Sequence, residues 1–401
     1  MESETKNVIR VGSRKSELAL IQTNFVIDNL KKMYPEKEFT IVSMTTLGDR
    51  VLNISLPKIG EKSLFTKDLE DGLRNKSLDF VVHSLKDLPT TLPEGLAIGA
   101  VFEREDPRDA VVLGDDFKDY KLSTLPEGSV VGTSSLRRTA QLRGAHPQLR
   151  VADIRGNLNT RLSKLSNSGQ YAAILLASAG LHRMGWGDKI SEVLPCAQMK
   201  YAVGQGALAV ECRSDDTTVL NMLAPFNHPE TYCRTLAERT FLKTLGGGCS
   251  APVGVSTSLK KIDTHYELSI TGAVWSLDGK TKLEHKMCQK FAQIHCTQKH
   301  KLSPTEDGHD CKKIKTDHNI PAEVTNNTCE ESNNVDSRTK NSDIDNRIFS
   351  GFTINMNVPL DVILKCDNLG KDLADALIEK GALDVMKVTQ DFIRSSIVKN
   401  T

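Results

Sequence analysis

Short apolar runs alternate with amphipathic stretches through the first two thirds of the chain, the pattern of strands and helices in a largely parallel sheet. Val8 to Gly12 reads as a strand, and Ser13 or Ser16 caps a helix whose apolar positions include Leu18, Ile21 and Phe25. Phe39 to Met44 is a second strand. Gly48 to Lys62 mixes Gly, Pro and charge with weak periodicity and reads as a loop of lid-like length. Phe65, Leu69 and Leu73 mark one helix face, Phe80 to Val82 a buried strand, and Ala97 to Phe102 another. Glu103 to Asp109 is a charged, Pro-containing crossing segment.

A second α/β unit starts near Val111. Ser129 to Gly132, Leu149 to Ile154 and Tyr171 to Ala177 read as its strands, each followed by small polar caps and arginine. Val203-Gly204-Gln205-Gly206-Ala207-Leu208-Ala209 matches a loose dinucleotide-binding form. It is followed by a strand (Ala207 to Cys212) rather than a helix, so a glycine turn crossing back to the first unit is the simpler account.

Pro229 to Leu245 is helical and ends in Gly246-Gly247-Gly248-Cys249. Alternation then gives strands over Val253 to Leu259 and Glu267 to Trp275, and Leu- and Ala-rich helices follow from Val362 to Lys380. This is a small α+β unit. Thr297 to Arg347 is polar and almost free of large apolar residues, which predicts a disordered insertion. The nearby His285, Cys288, His295, Cys296, His300, His309, Cys311, His318 and Cys329 fit no zinc spacing, so no metal is expected.

Composition narrows the field. With 52 basic and 51 acidic residues, no global charge points to nucleic acid or membrane, and selectivity for ions must be local. No apolar run approaches a membrane span. The acidic, polar start does not resemble a targeting segment, and nine unpaired-looking cysteines suit a reducing compartment, so a cytoplasmic location is expected.

Two features carry chemistry. Groups just past a strand's carboxyl end face the ligand crevice of an open α/β sheet, and there stand His83, Ser84, Lys86 and Asp87. Lys86 and Asp87 form a candidate acid/base pair, against the plainer reading of a solvated ion pair. Arginine recurs in the equivalent places: Arg14, Arg137, Arg138, Arg155, Arg161 and Arg183. Guanidinium in the first turn of a helix is disfavoured by the helix dipole, so the recurrence describes a crevice that binds carboxylates or phosphates with little acidic competition. Cys249 on its glycine loop is either a covalent anchor or nucleophile, or a buried small hydrophobe.

Taken together, Val11-Gly12-Ser13-Arg14-Lys15-Ser16, Gly60-Glu61-Lys62-Ser63-Leu64-Phe65-Thr66-Lys67, Val82-His83-Ser84-Leu85-Lys86-Asp87-Leu88-Pro89, Gly132-Thr133-Ser134-Ser135-Leu136-Arg137-Arg138, Ile154-Arg155-Gly156-Asn157-Leu158-Asn159-Thr160-Arg161-Leu162, Gly180-Leu181-His182-Arg183-Met184-Gly185-Trp186, Ala202-Val203-Gly204-Gln205-Gly206-Ala207-Leu208 and Gly247-Gly248-Cys249-Ser250 closely resemble the porphobilinogen deaminase (hydroxymethylbilane synthase) family. The likeness runs from about residue 8 to 280. It implies two domains similar to type II periplasmic binding proteins plus a small α+β domain: residues 1–104 with 204–227, then 105–203, then 228–401 holding the insertion 297–347. It implies stepwise condensation of four porphobilinogen molecules, with loss of ammonia, to hydroxymethylbilane on a dipyrromethane cofactor joined to Cys249 by a thioether.

In that reading Asp87 is the central carboxylate, stabilising the cationic azafulvene formed from the substrate, and Lys86 positions carboxylates. Arg137, Arg138, Arg161 and Arg183 bind cofactor carboxylates, with Ser84, Thr133, Ser134, Ser135 and Gln205 as supporting donors. Arg14, Ser16, Arg155 and Arg161 bind the substrate or growing chain. The expected state is a monomer. The rivals are a polycarboxylate receptor, which needs neither Asp87 nor Cys249, and a nucleotide-binding oxidoreductase resting on Gly204 and Gly206 alone.

Overall fold

A computed structural model describes residues 8–45, 66–247, 251–295, 330–331 and 348–398. The first sheet has strand order β2-β1-β3-β10-β4, with β1 Val8–Arg14, β2 Glu38–Met44, β3 Phe80–Ser84, β4 Leu96–Val101 and β10 Leu208–Arg213. The second has order β7-β6-β8-β5-β9, with β5 Asp109–Leu113, β6 Val130–Gly132, β7 Arg150–Ala152, β8 Ala173–Ala177 and β9 Glu192–Val193. The two orders are equivalent. In each, three strands run parallel, and the next is an antiparallel strand that arrives at a crossing between the sheets: β10 against β3, and β5 against β8. The expected pair of similarly built α/β domains is therefore present. β3 is not a purely parallel strand, because its other neighbour, β10, is antiparallel.

Helices cover both sheets: α1 Glu17–Met33 and α2 Lys67–Arg74 on the first, α3 Leu136–Ala145, α4 Leu158–Asn167 and α5 Ser178–Arg183 on the second. Ser16, not Ser13, caps α1, accepting from Ala19 N at 3.4 Å. Ser13 is buried and accepts from Thr23 Oγ1 instead. Phe25 departs from its expected buried place, being 50% exposed. α1 buries the face of Gln22, Thr23, Val26, Ile27 and Leu30 instead, and Phe25 meets the crossing residue Phe102 edge-on, ring centroids 6.0 Å apart.

After β10 come α6 Thr217–Leu223 and α7 Pro229–Thr244. The third sheet follows, an antiparallel run of β11 Val253–Ile262, β12 His265–Trp275 and β13 Lys282–Phe291, with the two-residue β14 Glu330–Glu331 beside β13. α8 Leu360–Glu379 and α9 Ala382–Val398 complete the chain. β13 and α9 were not expected from the sequence. In β13 only Met287, Cys288 and Phe291 are buried, so its polar majority hides the strand period. The loop at 48–62 lies outside the described residues. So does the insertion 297–347, apart from Glu330 and Glu331.

The glycine turn before β10 is as expected. Gly204 (φ +74°) and Gly206 (φ +88°) adopt left-handed conformations, and a Cβ on Gly206 would meet Glu105 O at 2.6 Å.

Candidate functional site

β3 pairs to Ser84 and then tightens into one 3₁₀ turn, Leu85–Asp87, closed by Leu88 N donating to Leu85 O at 3.2 Å. Leu85 N is held by Ala207 O at 3.0 Å. Leu85 and Leu88 are buried, which leaves Lys86 half-buried and Asp87 exposed between them. Ser84 is engaged by Gln22 of α1, Nε2 to Oγ 3.0 Å. Burial pulls the Lys86 ammonium down to about 8; Asp87 opposes the fall, Arg138 adds to it, Asp109 opposes and Arg137 adds. The turn on the first sheet therefore lies within electrostatic reach of the second sheet's arginines.

Those arginines start α3. Thr133 N is held by Ala152 O, Ser134 Oγ donates to Ile154 O at 2.6 Å, and Ser135 caps the helix by accepting from Arg138 N at 3.4 Å. Arg137 and Arg138 turn inward, 4% and 6% exposed. Arg137 Nη1 donates to Asp109 Oδ2 at 2.7 Å and to Lys200 O; Arg138 Nη2 donates to Asp109 Oδ1 at 2.7 Å and its Nη1 to Leu175 O at 2.9 Å. Gln205 Nε2 joins the same carboxylate at 2.8 Å.

This corrects the expectation of little acidic competition: a carboxylate with no exposed surface sits between the two arginines. They hold it ionised, well below the usual carboxylate range, against the cost of its burial. Sequence reading passed over Asp109 as the end of a charged crossing. An acidic residue opening the apolar run Ala110-Val111-Val112-Leu113 was the available signal.

Arg161 is half-buried and donates from Nε to Gly156 O at 2.8 Å. Its guanidinium is lowered to about 10, first by burial, then by Arg138, with Asp153 opposing, Arg155 adding and Asp87 opposing. Arg155 is half-buried at the end of the same segment, and Arg14 at the end of β1. Asn159 of α4 donates to Glu17 of α1 at 2.8 Å, a direct contact between helices of the first two sheets. Arg183 does not stand with the others in an open site. It is tied to the crossings, Nε to Glu105 Oε1 at 2.8 Å and Nη2 to Gly206 O at 2.7 Å.

A buried polar knot, missed by sequence reading, joins the same crossings to the third sheet. Arg104 grips Glu238 of α7 through both oxygens, at 2.6 and 2.9 Å, and donates from Nε to Gln205 O at 2.9 Å. Glu238 also accepts from Gly204 N at 2.9 Å and from Thr257 Oγ1 at 2.7 Å. Cys249 lies outside the described residues. No group of His, Cys, Asp and Glu among the described residues could hold a metal ion.

Electrostatic coupling thus links Lys86 to Asp87, Arg137 and Arg138, and Arg161 to Arg138, Arg155 and Asp87, with Asp87 exposed. Such a donor set fits a ligand with several carboxylates, and the buried Nε atoms of Arg137 and Arg138 find no protein acceptor.

Residues 9–221 match the family model of the dipyrromethane cofactor binding domain of porphobilinogen deaminase, and residues 232–304 that of its C-terminal domain. A porphobilinogen deaminase of Nostoc sp. is 52% identical over 278 residues, 69% of this chain and 84% of the relative. Those of Synechococcus elongatus (52%, covering 72% and 88%) and Gloeobacter violaceus (53%, covering 67% and 81%) are equally similar. Among solved structures, the periplasmic aliphatic sulphonate binding protein SsuA of Escherichia coli aligns with 61% of this chain and 76% of its own, at 13% identity and a TM-score of 0.31.

Proposed function

The chain belongs to the porphobilinogen deaminase family, and from that premise we propose Asp87 as its catalytic carboxylate, Lys86 and the crevice arginines as its carboxylate-binding set, and Cys249 as the cofactor anchor. The protein is a transferase of tetrapyrrole biosynthesis that joins four porphobilinogen molecules, with loss of ammonia, into hydroxymethylbilane on a dipyrromethane cofactor. That cofactor supplies a covalently held primer.

The observation that supports the residue roles best is the contrast between two aspartates. Asp109 is buried and occupied by Arg137, Arg138 and Gln205, whereas Asp87 is exposed and acts electrostatically on Lys86 and Arg161. Each pyrrole brings two carboxylates, which the guanidinium groups bind. Loss of ammonia leaves positive charge on the substrate, and in that positive surrounding a carboxylate must be present where the charge develops. Asp87 is placed to stabilise it and to accept or return a proton at the pyrrole nitrogen. Lys86, charged below about pH 8, holds a carboxylate beside it. Ser84, Ser134 and Ser135 serve indirectly, by fixing the turn and the start of α3.

Arg183 and Gln205 orient the crossings and Asp109, and Arg14 and Ser16 at the start of α1 take the substrate side. We also read residues 1–104 with 204–227, 105–203 and 228–401 as the three domains, supported by β10 lying in the first sheet. A cytoplasmic monomer without membrane or nucleic-acid partners suits the balanced charge and the free thiols of Cys196, Cys212, Cys233 and Cys366. No helix among the described residues is long and apolar enough to cross a membrane.

The test is intact mass together with turnover. Wild type should carry two linked pyrrole units on the peptide containing Cys249, Cys249→Ala should carry none, and Asp87→Asn should be loaded yet inactive. Normal turnover by Asp87→Asn refutes its role; a loaded Cys249→Ala refutes the anchor.

A further inference from the structure

Arg239 belongs to α7, yet its guanidinium reaches the turn that carries Lys86 and Asp87. Nη1 donates to Leu88 O at 3.1 Å and Nη2 to Pro89 O at 2.6 Å, while Nε donates to Ser350 O at 2.9 Å. The residue is 1% exposed, and its Cζ lies 5.5 Å from the centre of the Phe352 ring. Carbonyls from two segments far apart in sequence thus converge on one side chain.

Packing points the same way. Phe80 and Val82 of β3 lie in the apolar cluster of the first sheet, with Val11, Val26 and Leu30. Leu85 and Leu88, a few residues on, lie in the cluster of α7 and the third sheet, with Tyr232, Leu236 and Phe352. The strand is anchored in one core and its turn in another. A methionine or leucine would fill the space of Arg239 without the desolvation cost of a buried guanidinium. Only a fork of N–H donors satisfies inward carbonyls at Leu88 and Pro89 together with that of Ser350.

We infer that Arg239 is a positioning residue for the reaction: it registers the Lys86–Asp87 turn against α7, the helix that leads in sequence to the Cys249 loop. The inference rests on the reading of Asp87 given above. Phe352 seats the guanidinium, and Arg239 touches no substrate.

The experiment uses the full-length, cofactor-loaded protein. Arg239→Lys keeps the charge but cannot span three carbonyls. It should retain the cofactor mass and a near-normal KM while kcat falls by about 100-fold, the order that a misplacement of about 1 Å costs. Thr240→Val is the control. From the same helix as Arg239 it removes bonds to Ser350 Oγ and to Asp367 of α8 without touching the turn, so it should lower Tm and leave kcat within about twofold.

An unchanged kcat in Arg239→Lys, or an equal fall in Thr240→Val at matched Tm, overturns the inference. Should Arg239→Lys not fold, Phe352→Leu decides: a fall in kcat with KM unchanged supports the role, and an unchanged kcat overturns it. Asp87→Asn is assayed alongside. If it keeps turnover, the reading of Asp87 and this inference fail together; if it is inactive while Arg239→Lys is fully active, only the role of Arg239 fails.

Discussion

Asp109 and Arg137 meet at 2.7 Å inside the second domain, and Arg138 takes the other carboxylate oxygen at the same distance. All three side chains are at least nine-tenths buried. The pairing aims both guanidinium groups from behind and reduces the local charge from two to one. Without the carboxylate, two buried like charges would face each other.

Asp109→Ala should therefore lose about 3–5 kcal/mol of stability, the usual consequence of removing one partner of a buried ion pair. Asp109→Asn keeps the shape and should lose less, but should load the cofactor poorly. Urea denaturation and intact mass read the two effects separately; full stability in Asp109→Ala would show the pairing to be energetically idle.

Lys86 gives a pH prediction. Its ammonium is lowered to about 8, so kcat/KM should fall as pH rises through that value and the lysine loses the charge that binds carboxylates. Lys86→Arg should move this limb out of the accessible range, and an unmoved limb would assign it to another group. Stability has the opposite sign. Between about pH 8 and 10.5 the unfolded chain binds this proton and the folded chain does not, so wild type should gain stability relative to Lys86→Met as pH rises through that window.

Glu70 is 3% exposed in α2, and its Oε1 finds no partner. Burial raises its pKa; the Thr66 hydroxyl opposes the rise, Glu211 adds to it, and His83 and Arg74 oppose it. Since the folded state favours the protonated form, Glu70 contributes stability at low pH that is lost as pH rises through its raised pKa. Glu70→Gln should thus be more stable than wild type at neutral pH, with the gap closing below about 4.5, the ordinary value. Denaturation curves across that range are the check; a gap that ignores pH would point to packing instead.

Gly144 in α3 lies against Gly279 in the turn between β12 and β13. A Cβ on Gly279, where φ is +75°, would collide with Gly144 N and reach Ala140 O at 2.5 Å. Gly279→Ala should cost about 2–4 kcal/mol from overpacking and strain together. Because α3 carries Arg137 and Arg138, its kcat/KM should fall as well; a stable, fully active variant would show that the helix moves freely against the hairpin.

What the sequence determined by itself was local. A strand, its polar cap and the cation beyond it lie within a dozen residues, so period and spacing alone place Lys86, Asp87 and the arginines of α3 and α4 just past the strand ends. The strands that deviate from their period were harder. β13 was invisible because three buried positions among polar neighbours leave no alternation, and Phe25 was misplaced because α1 turns the face of Val26, Ile27 and Leu30 inward instead.

Which charge meets which was left to tertiary structure. Asp109 finds Arg137 only because β5 pairs antiparallel with β8, placing its first residue beneath α3, and Arg104 finds Glu238 across 134 positions. Arg239 reaches Leu88 across 151. Charges leave water only when a packed interior supplies a partner for them, and no local pattern records which distant partner that is.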